Sequence, residues 1–178
     1  MRTGTIRFRN FVVYYKEKSP PNLMKLVHYL KPEYITVGIE ADSKEDLLTK
    51  MVDLASKNPH VTDKDKVRTA ILDRERIMST GVGKGFAIPH GKTDAVTDIV
   101  LAFATTKEPI DYAAMDNEPV RLVLLLVSRD SDVGSRLKLL SRASKVMNSD
   151  SARKSLVEAK TPQEVLSIFT AEEERIGD

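Results

Sequence analysis

Apolar residues in the first half of the chain recur at helical spacing in two segments. The first occupies residues 47–55 and follows Ser43, which forms a capping-box pattern with Asp46: the serine oxygen accepts an early backbone N–H and the carboxylate reaches back to the helix start. The second begins at Thr62, has acidic residues in its first turn, and carries its apolar stripe over residues 67–71. Two amphipathic helices are predicted.

Two later apolar runs, residues 99–104 and 122–127, show no alternation with polar residues. Such runs are typical of strands that are covered on both faces. A third helix is predicted over residues 133–147, and a last one begins at Thr161 with proline at its first position. The predicted inward positions are Val133, Leu137, Leu140, Ala143 and Met147 in the third helix and Val165, Leu166 and Phe169 in the last. Helices before, between and after buried strands indicate an α/β layered domain.

The composition narrows the class of protein. The 178 residues suffice for one ordinary domain, and 28 basic against 26 acidic side chains argue against a dedicated nucleic-acid-binding protein. No apolar run approaches the roughly 18 residues of a transmembrane helix. The absence of cysteine fits a reducing compartment, so we expect a cytoplasmic protein. The histidines His28, His60 and His90 lack metal-ligand spacing, and we expect no metal and no organic cofactor.

Residues 1–23 differ from the rest of the chain. They hold five basic residues against one acidic residue, together with four of the ten Phe and Tyr side chains. The segment ends in Pro20-Pro21 between polar residues, a pattern typical of a linker. We therefore predict an N-terminal extension, residues 1–23, whose composition is compatible with disorder, and one domain, residues 24–178. A membrane or nucleic-acid contact by this basic, aromatic arm is the alternative to an incidental extension.

The chemistry is expected at the glycine-rich segment 81–91. A dinucleotide-binding loop requires a strand directly before its glycines, whereas a helix is predicted there and the spacing is G-x-G-x-G. A phosphate-binding P-loop requires a glycine five positions before Gly91, where the chain has Phe86. Pro89 also removes a backbone N–H that such a loop uses. The sequence therefore disfavours both kinds of nucleotide loop.

A histidine nucleophile is the third interpretation of this segment. A neutral imidazole accepts a phosphoryl group on one ring nitrogen when the ring is held in one tautomer and cations offset the incoming charge. His90 follows Pro89, Arg74 continues the apolar stripe of the second helix, and Arg136 lies on or beside the inward face of the third. An arginine in such a place requires an anionic partner or a route to water. The alternative is that both arginines reach solvent and His90 only bonds a loop carbonyl.

Several short motifs extend this interpretation: an R-E dipeptide at 74–75, glycines at 81, 83 and 85, and the A-I-P-H-G core at 87–91. Together they closely resemble the phosphorylation-site signature of the fructose/mannitol-type enzyme IIA domain of the bacterial phosphoenolpyruvate-dependent sugar phosphotransferase system. The resemblance extends over residues 34–170. It implies a single three-layer α/β/α domain with a mixed central sheet. It also implies that His90 takes a phosphoryl group from the histidine phosphocarrier protein and yields it to an acceptor, either a IIB domain or a regulated protein.

The resemblance assigns roles by position. His90 matches the phosphorylated histidine, and Arg74, sixteen residues earlier, matches the arginine that steadies the phosphoryl group. The expected phosphate-binding or loop positions are Gly83, Gly85, Gly91 and Lys92.

Two positions depart from the family pattern. Phe86 stands where the family usually has Ile, Leu, Val or Met, an apolar change that we expect to be tolerated. Arg136 stands in the place of the family's second histidine, at the start of the third helix. Arginine keeps hydrogen-bond donors and adds a permanent charge, but it cannot accept a proton. We therefore hypothesise a longer-lived phosphohistidine that hands on its phosphoryl group poorly.

Three functions follow from the resemblance. The loop pattern S-T-G-x-G-x-G-x-A-I-P-H-G-K is closer to that of free-standing, nitrogen-regulatory IIA proteins, which signal through binding, so we expect mainly a regulatory role. A sugar-specific IIA component that relays phosphate to a IIB domain for uptake is the first alternative. A protein-binding module that keeps the fold but is not phosphorylated is the second, and Arg136 is the residue that keeps it open.

Overall fold

The computed structural model describes residues 3–8, 11–16 and 24–177. The helices in this part of the chain are α1 (Lys44–Ala55), α2 (Lys64–Ile77), α3 (Val133–Met147), α4 (Asp150–Glu158) and α5 (Pro162–Ile176). The strands are β1 (Thr3–Phe8), β2 (Phe11–Lys16), β3 (Ile35–Ile39), β4 (Gly81–Gly83), β5 (Phe86–Ala87), β6 (His90–Lys92), β7 (Val100–Ile110) and β8 (Val120–Ser128). Within the described ranges, no helix combines the length and the apolar character needed to cross a membrane.

Six strands form one mixed sheet in the order β3-β7-β8-β5-β4, with β6 also paired to β8. Strand β7 runs parallel to β3 and antiparallel to β8, while β5 and β6 both run parallel to β8. Only Ile88 and Pro89 separate β5 from β6, and Leu126 donates its backbone N–H to the Pro89 carbonyl at 2.9 Å. The segment that leads into His90 therefore follows β8 almost as one continuous strand.

Both faces of the sheet are covered by helices, which confirms the predicted three-layer α/β/α fold. Along β8, Val123, Leu125 and Val127 pack into a cluster with buried residues of α1 and α2. Leu122, Leu124 and Leu126 pack into a second cluster with buried residues of α3, α4 and α5. Successive side chains of β8 thus point into two different hydrophobic clusters. Because both faces of the strand are buried, its sequence shows no alternation of apolar and polar residues.

The starts of α1 and α2 differ slightly from the predicted ones. The Ser43 hydroxyl accepts the Asp46 backbone N–H at 3.2 Å, as predicted, but the Asp46 carboxylate accepts from the Asp42 N–H at 3.1 Å and so reaches one residue further back. Helix α2 is capped by Asp63, whose side chain accepts the Lys66 N–H at 3.1 Å. Thr62, the predicted start, lies outside the helix because the carboxylate one residue later forms the cap.

Helix α3 has the predicted bounds, but its first two turns are not buried. Val133 and Leu137 are 46% and 59% exposed, so their predicted inward orientation was wrong. Burial begins only at Leu139, and the fully packed side chains are Leu139, Ala143 and Val146. The first turns of α3 therefore project past the core and present apolar side chains to solvent.

Two kinds of element gave no clear signal in the sequence. Helix α4 buries only Ala152 and Leu156, too few positions to establish a helical period. Strands β4, β5 and β6 have two or three residues each. In the N-terminal extension, β1 and β2 pair antiparallel, whereas the Pro20-Pro21 linker lies outside the described residues. The division of the chain at residue 23 stays a prediction.

Candidate functional site

A cavity of about 450 Å³ opens between the last turns of α2, strand β6 and the first turns of α3. We call it the His90 cavity. Its lining residues are Ala70, Asp73, Arg74, Ile77, His90, Gly91, Lys92 and Arg136. The structure therefore brings together the predicted nucleophile, both predicted arginines and two of the four predicted loop positions.

His90 is the first residue of β6 and is half-buried at the cavity. Its Nδ1 lies 2.8 Å from the carbonyl oxygen of Ile88. Because a carbonyl oxygen only accepts hydrogen bonds, Nδ1 carries the proton and Nε2 carries the free lone pair. The alternative to a nucleophilic His90 was that its ring only bonds a loop carbonyl. That bond is present, and it is the contact that leaves Nε2 available as a nucleophile.

The surroundings of His90 lower the pKa of its imidazole below the ordinary value of 6.5. Burial is the largest cause, and the positive charges of Arg74 and Arg136 act in the same direction. The hydrogen bond to Ile88 and the negative charge of Glu75 oppose the shift but do not cancel it. The ring is therefore neutral near pH 7, the state in which a ring nitrogen can attack phosphorus.

Arg74 lies in the last turn of α2, one helical turn after Ala70. It is half-buried, and its guanidinium Nη1 donates to the carbonyl oxygen of Met78 at 3.0 Å. This contact caps the C-terminal end of the helix, where positive charge is favoured by the dipole. Although Arg74 continues an apolar stripe, its guanidinium lies at the cavity and not in the core. Its other N–H donors can therefore bind an anion.

Arg136 enters the cavity from the opposite side, on the second turn of α3. Its Nη1 donates to the buried hydroxyl of Ser128 at 3.1 Å and lies 3.5 Å from the carbonyl oxygen of Arg129. Ser128 is the last residue of β8, so the guanidinium is anchored at the strand end that pairs with β6. Two permanent cations therefore face one neutral imidazole.

Gly91 and Lys92 lie in the cavity wall for different reasons. A Cβ on Gly91 would lie 3.1 Å from the backbone carbonyl carbon of Ala70, so glycine lets β6 approach α2 closely. The Lys92 ammonium forms an exposed ion pair with Asp130 at 2.8 Å, which contributes little to stability because solvent screens it.

Gly83 and Gly85, the other two expected phosphate-binding or loop positions, do not line the His90 cavity. They flank Lys84 in the turn between β4 and β5, and all three residues have positive φ, at 95°, 56° and 71°. Such a backbone favours glycine. Asp116 fixes the turn by accepting the Lys84 backbone N–H at 2.7 Å. These glycines shape the turn that precedes β5 rather than a cradle for an anion.

A buried carboxylate, Glu75, lies next to Arg74; in the sequence it stood out only as part of the R-E dipeptide, with no role of its own. Glu75 is 8% exposed, pairs with the Lys44 ammonium at 2.7 Å, and accepts the Thr80 backbone N–H at 3.0 Å and the Thr80 hydroxyl. The Tyr112 hydroxyl donates to its second oxygen at 3.4 Å. The missed signal was spacing: Glu75 stands four residues after the buried Ile71, on the same helix face.

The fold and the cavity define an α/β/α protein in which two arginines and a neutral histidine of fixed tautomer line one cavity. Residues 28–172 match the family model described as "Phosphoenolpyruvate-dependent sugar phosphotransferase system, EIIA 2". The chain belongs to this family, which confirms the resemblance carried by its loop motifs.

The relatives include sugar-specific and nitrogen-regulatory proteins. The chain is 35% identical over 137 residues to the fructose-specific EIIA component of Haloferax volcanii, covering 77% of this chain and 89% of that protein. It is 34% identical over 146 residues to the fructose-specific EIIABC component of Bacillus subtilis, covering 82% of this chain but only 23% of that protein. The chain thus spans about a quarter of that relative's length.

Solved structures share the fold. The nitrogen regulatory protein IIA-Ntr of Neisseria meningitidis superposes with a TM-score of 0.76 at 30% identity, over 80% of this chain and 97% of that one. The enzyme IIA-mannitol in a complex with phosphorylated enzyme IIB-mannitol, from Escherichia coli, has a TM-score of 0.70 at 22% identity, over 80% of this chain and 97% of that one.

Proposed function

We propose that this chain is a phosphocarrier that accepts a phosphoryl group on Nε2 of His90 from a phosphohistidine on the carrier protein of the phosphotransferase system. The observation that carries the proposal is the orientation of His90: Nδ1–H is bound to the Ile88 carbonyl, and Nε2 retains its lone pair in a cavity lined by two guanidinium groups. The proposal places the protein in the cytoplasm, with phosphoenolpyruvate as the ultimate donor.

The transfer step requires no proton to leave His90. The Nε2 lone pair forms a bond to phosphorus while the donor's N–P bond breaks and its electron pair returns to the donor imidazole. The ring of His90 gains positive charge, and the Ile88 carbonyl stabilises it by accepting the Nδ1–H. Arg74 and Arg136 offset the negative charge on the phosphoryl oxygens, and each can exchange its neutral acceptor for a charged one.

Two uses of the phosphohistidine are compatible with the family, and we propose mainly a regulatory one. The support is the loop pattern and the similarity to IIA-Ntr of Neisseria meningitidis, which extends over 97% of that chain. In this role phosphorylation of His90 changes which protein binds around the cavity.

The second candidate is a relay of phosphate to a IIB domain for sugar uptake. It is favoured by the identity to the fructose-specific EIIA component of Haloferax volcanii. The IIA-mannitol structure, which is bound to phosphorylated IIB-mannitol, offers a binding mode for such an acceptor. A non-phosphorylated binding module remains the third candidate, because Arg136 cannot perform the acid–base role of a histidine.

The first experiment measures the intact mass of the protein after incubation with phosphoenolpyruvate, enzyme I and the phosphocarrier protein. We expect the gain of one acid-labile phosphoryl group in the wild type and none in His90→Ala. His60→Ala is the matched control, since His60 is an exposed loop histidine bonded to Thr97 at 2.8 Å. No gain in the wild type, with the donor shown to phosphorylate another acceptor, would favour the non-phosphorylated module.

A second experiment separates regulation from relay. The phosphorylated protein is mixed with the IIB domain of a fructose system, and loss of the phosphoryl group is followed by mass. Rapid transfer would support the relay, whereas retention over the same period supports regulation. Arg136→His is run in parallel, because poor transfer caused by Arg136 alone would be relieved in that variant.

A further inference from the structure

Glu75 is buried below the His90 cavity, on the turn of α2 that also carries Arg74, and the transfer step does not use it. We propose that Glu75 is a positioning residue that fixes the tautomer of His90 through a chain of hydrogen bonds in the glycine-rich segment. The importance of Glu75 for phosphoryl transfer rests on the proposed function. The hydrogen bonds between Glu75 and His90, however, exist in the unphosphorylated protein.

Three hydrogen bonds connect the carboxylate to the imidazole. The Thr80 backbone N–H donates to Glu75 at 3.0 Å, the Ile88 backbone N–H donates to the Thr80 carbonyl at 3.0 Å, and His90 Nδ1 donates to the Ile88 carbonyl at 2.8 Å. Each bond fixes the residue that forms the next. The Ile88 carbonyl, which selects the His90 tautomer, is thus held in place by the side chain of Glu75, thirteen residues earlier in the chain.

The carboxylate is itself held rigidly. The Lys44 ammonium pairs with it at 2.7 Å and lies 4.5 Å from the centre of the Tyr112 ring, while the Thr80 hydroxyl donates to its second oxygen. Burial alone would raise the pKa of Glu75, but the bonds from Lys44 and Thr80 outweigh it and lower the pKa. An ionised acceptor makes stronger hydrogen bonds than a neutral one, so the first link of the chain is a strong one.

The other side of the segment is fixed by the sheet. Leu126 donates its N–H to the Pro89 carbonyl at 2.9 Å, and Pro89 has no N–H of its own that could bond elsewhere. The Ile88–Pro89 step therefore lies between β8 on one side and Thr80 on the other. Without Glu75, the Thr80 backbone N–H loses its acceptor, and this side of the step is held only by the pairing of Gly81 with Ala87 and by the Thr80 hydroxyl, which lies 3.1 Å from the Tyr112 hydroxyl. We expect the Ile88 carbonyl then to turn away from His90 more readily.

Loss of that carbonyl would remove the preference for the Nδ1–H tautomer. The Nε2–H tautomer has no lone pair on Nε2, so the fraction of nucleophilic rings falls with the fraction of the Nδ1–H form. Glu75 also contributes negative charge that offsets Arg74 and Arg136 near the ring. Substitution can separate the two effects, because glutamine keeps an acceptor oxygen but loses the charge.

The test is nitrogen NMR of the imidazole in the unphosphorylated protein, with the His90 signals assigned from their loss in His90→Ala. In the wild type we expect a single Nδ1–H tautomer. Glu75→Ala is expected to give a mixture with the Nε2–H form, and phosphorylation by the carrier protein slows by about tenfold to a hundredfold. Glu75→Gln is expected to retain the single tautomer and to lower the His90 pKa further, with near-normal transfer.

Glu75→Ala leaves Lys44 without its partner and can unfold the protein, so its melting is measured first. If it does not fold, the tautomer is measured in the double variant Lys44→Met/Glu75→Leu, in which no buried charge is left unpaired. A single Nδ1–H tautomer in the folded Ala or double variant would overturn the proposal. Because the tautomer is measured without phosphate, this result is independent of whether the wild type accepts a phosphoryl group.

Discussion

Arg136 is expected, from the resemblance of the sequence, to stand in the place of the family's second histidine. A guanidinium at 3.1 Å from the Ser128 hydroxyl, facing His90 together with Arg74, keeps its charge at every physiological pH. We predict that Arg136→His shortens the lifetime of the phosphohistidine and speeds transfer to an acceptor by about tenfold, the effect of roughly 1.4 kcal/mol of differential binding. The measurement is loss of the phosphoryl group with time, by mass, with and without acceptor.

Arg136→Lys is the matched control for that prediction. Lysine keeps the positive charge but lacks the planar fork, so transfer should stay close to the wild-type rate. A His variant that transfers no faster than the wild type would mean that Arg136 does not limit the hand-on step.

The lowered pKa of His90 leads to a prediction about the titration of its ring. Because burial and the charges of Arg74 and Arg136 hold it below 6.5, the neutral, nucleophilic ring persists as the pH falls below that value. We predict that an NMR titration of the ring has its midpoint below 6.5 and that Arg136→Gln moves the midpoint upward. Since the unfolded chain binds this proton more tightly, stability decreases as the pH falls through the window below 6.5. A midpoint at or above 6.5 in the wild type would contradict the electrostatic argument.

The candidate residues that line the His90 cavity were easier to predict from the sequence than the residues that hold them in place. Arg74 and His90 stood out because an arginine on an apolar stripe and a histidine after a fixed proline require an explanation. Glu75 occupies the buried stripe of α2 as the next position after Ile71, yet its partners Lys44 and Tyr112 are more than thirty residues away in the chain. Periodicity places a residue on a face of a helix, but only the fold supplies the distant partner that makes its burial possible.

The close packing of β6 against α2 at Gly91 leads to a prediction about stability. A Cβ on Gly91 would lie 3.1 and 3.2 Å from backbone atoms of Ala70, which cannot move without shifting the helix. We predict that Gly91→Ala lowers the free energy of unfolding by about 1–3 kcal/mol. Because the same shift displaces Arg74 relative to His90, phosphorylation should also slow. Urea unfolding and the rate of mass gain measure the two effects.

Gly134→Ala is the control, because a Cβ at this position of α3 meets nothing within 4 Å. Alanine has a higher helix propensity than glycine, so this variant should be as stable as the wild type or more stable by up to about 1 kcal/mol. Equal destabilisation by both substitutions would show that the α2–β6 approach is not the cause.

The elements that the sequence predicted are those that bury many apolar residues in a regular order. The apolar runs of β7 and β8 contribute side chains to both hydrophobic clusters. Helices α1, α2, α3 and α5 each carry an apolar stripe that is long enough to establish a helical period. Helix α4 and the short strands β4, β5 and β6 bury few side chains each, so their local pattern is weak. At the first turns of α3 the prediction erred in the opposite direction: the apolar stripe continues through Leu137, but no element in the described part of the chain covers this side chain.

One buried ion pair ties the ends of the described domain together. The Glu173 carboxylate on α5 is fully buried and accepts the Leu26 and Val27 backbone N–H groups at 2.8 and 3.1 Å and the Arg142 side chain at 2.5 Å. We predict that Glu173→Gln lowers the free energy of unfolding by about 3 kcal/mol, since Arg142 is then left with no anionic partner in a mostly buried place. Glu174→Gln, at an exposed position, should change it by less than about 0.5 kcal/mol. Urea unfolding of the two variants compares them directly.

Two exposed apolar side chains near the His90 cavity lead to a prediction about docking of the proposed donor. Ile77 of α2 lines the cavity and is 80% exposed, and Leu137, which follows the cavity residue Arg136 on α3, is 59% exposed. Exposed apolar side chains around a charged site favour protein docking. We predict that Ile77→Ser and Leu137→Ser each raise the KM for the phosphorylated carrier protein by about tenfold, or roughly 1.4 kcal/mol. Phosphorylation by phosphoramidate, a small donor that needs no docking, should be unchanged.

The exposed Ala171 on α5 provides the matched control, and Ala171→Ser should alter neither rate. Equal losses with phosphoramidate and with the carrier protein would assign Ile77 and Leu137 to the chemistry of the cavity rather than to docking. A loss confined to the carrier protein, together with normal melting of the variants, would establish that α2 and α3 form a single docking surface around His90. The exposure of the first turns of α3, which the sequence pattern did not predict, would then have its explanation in the partner that covers them.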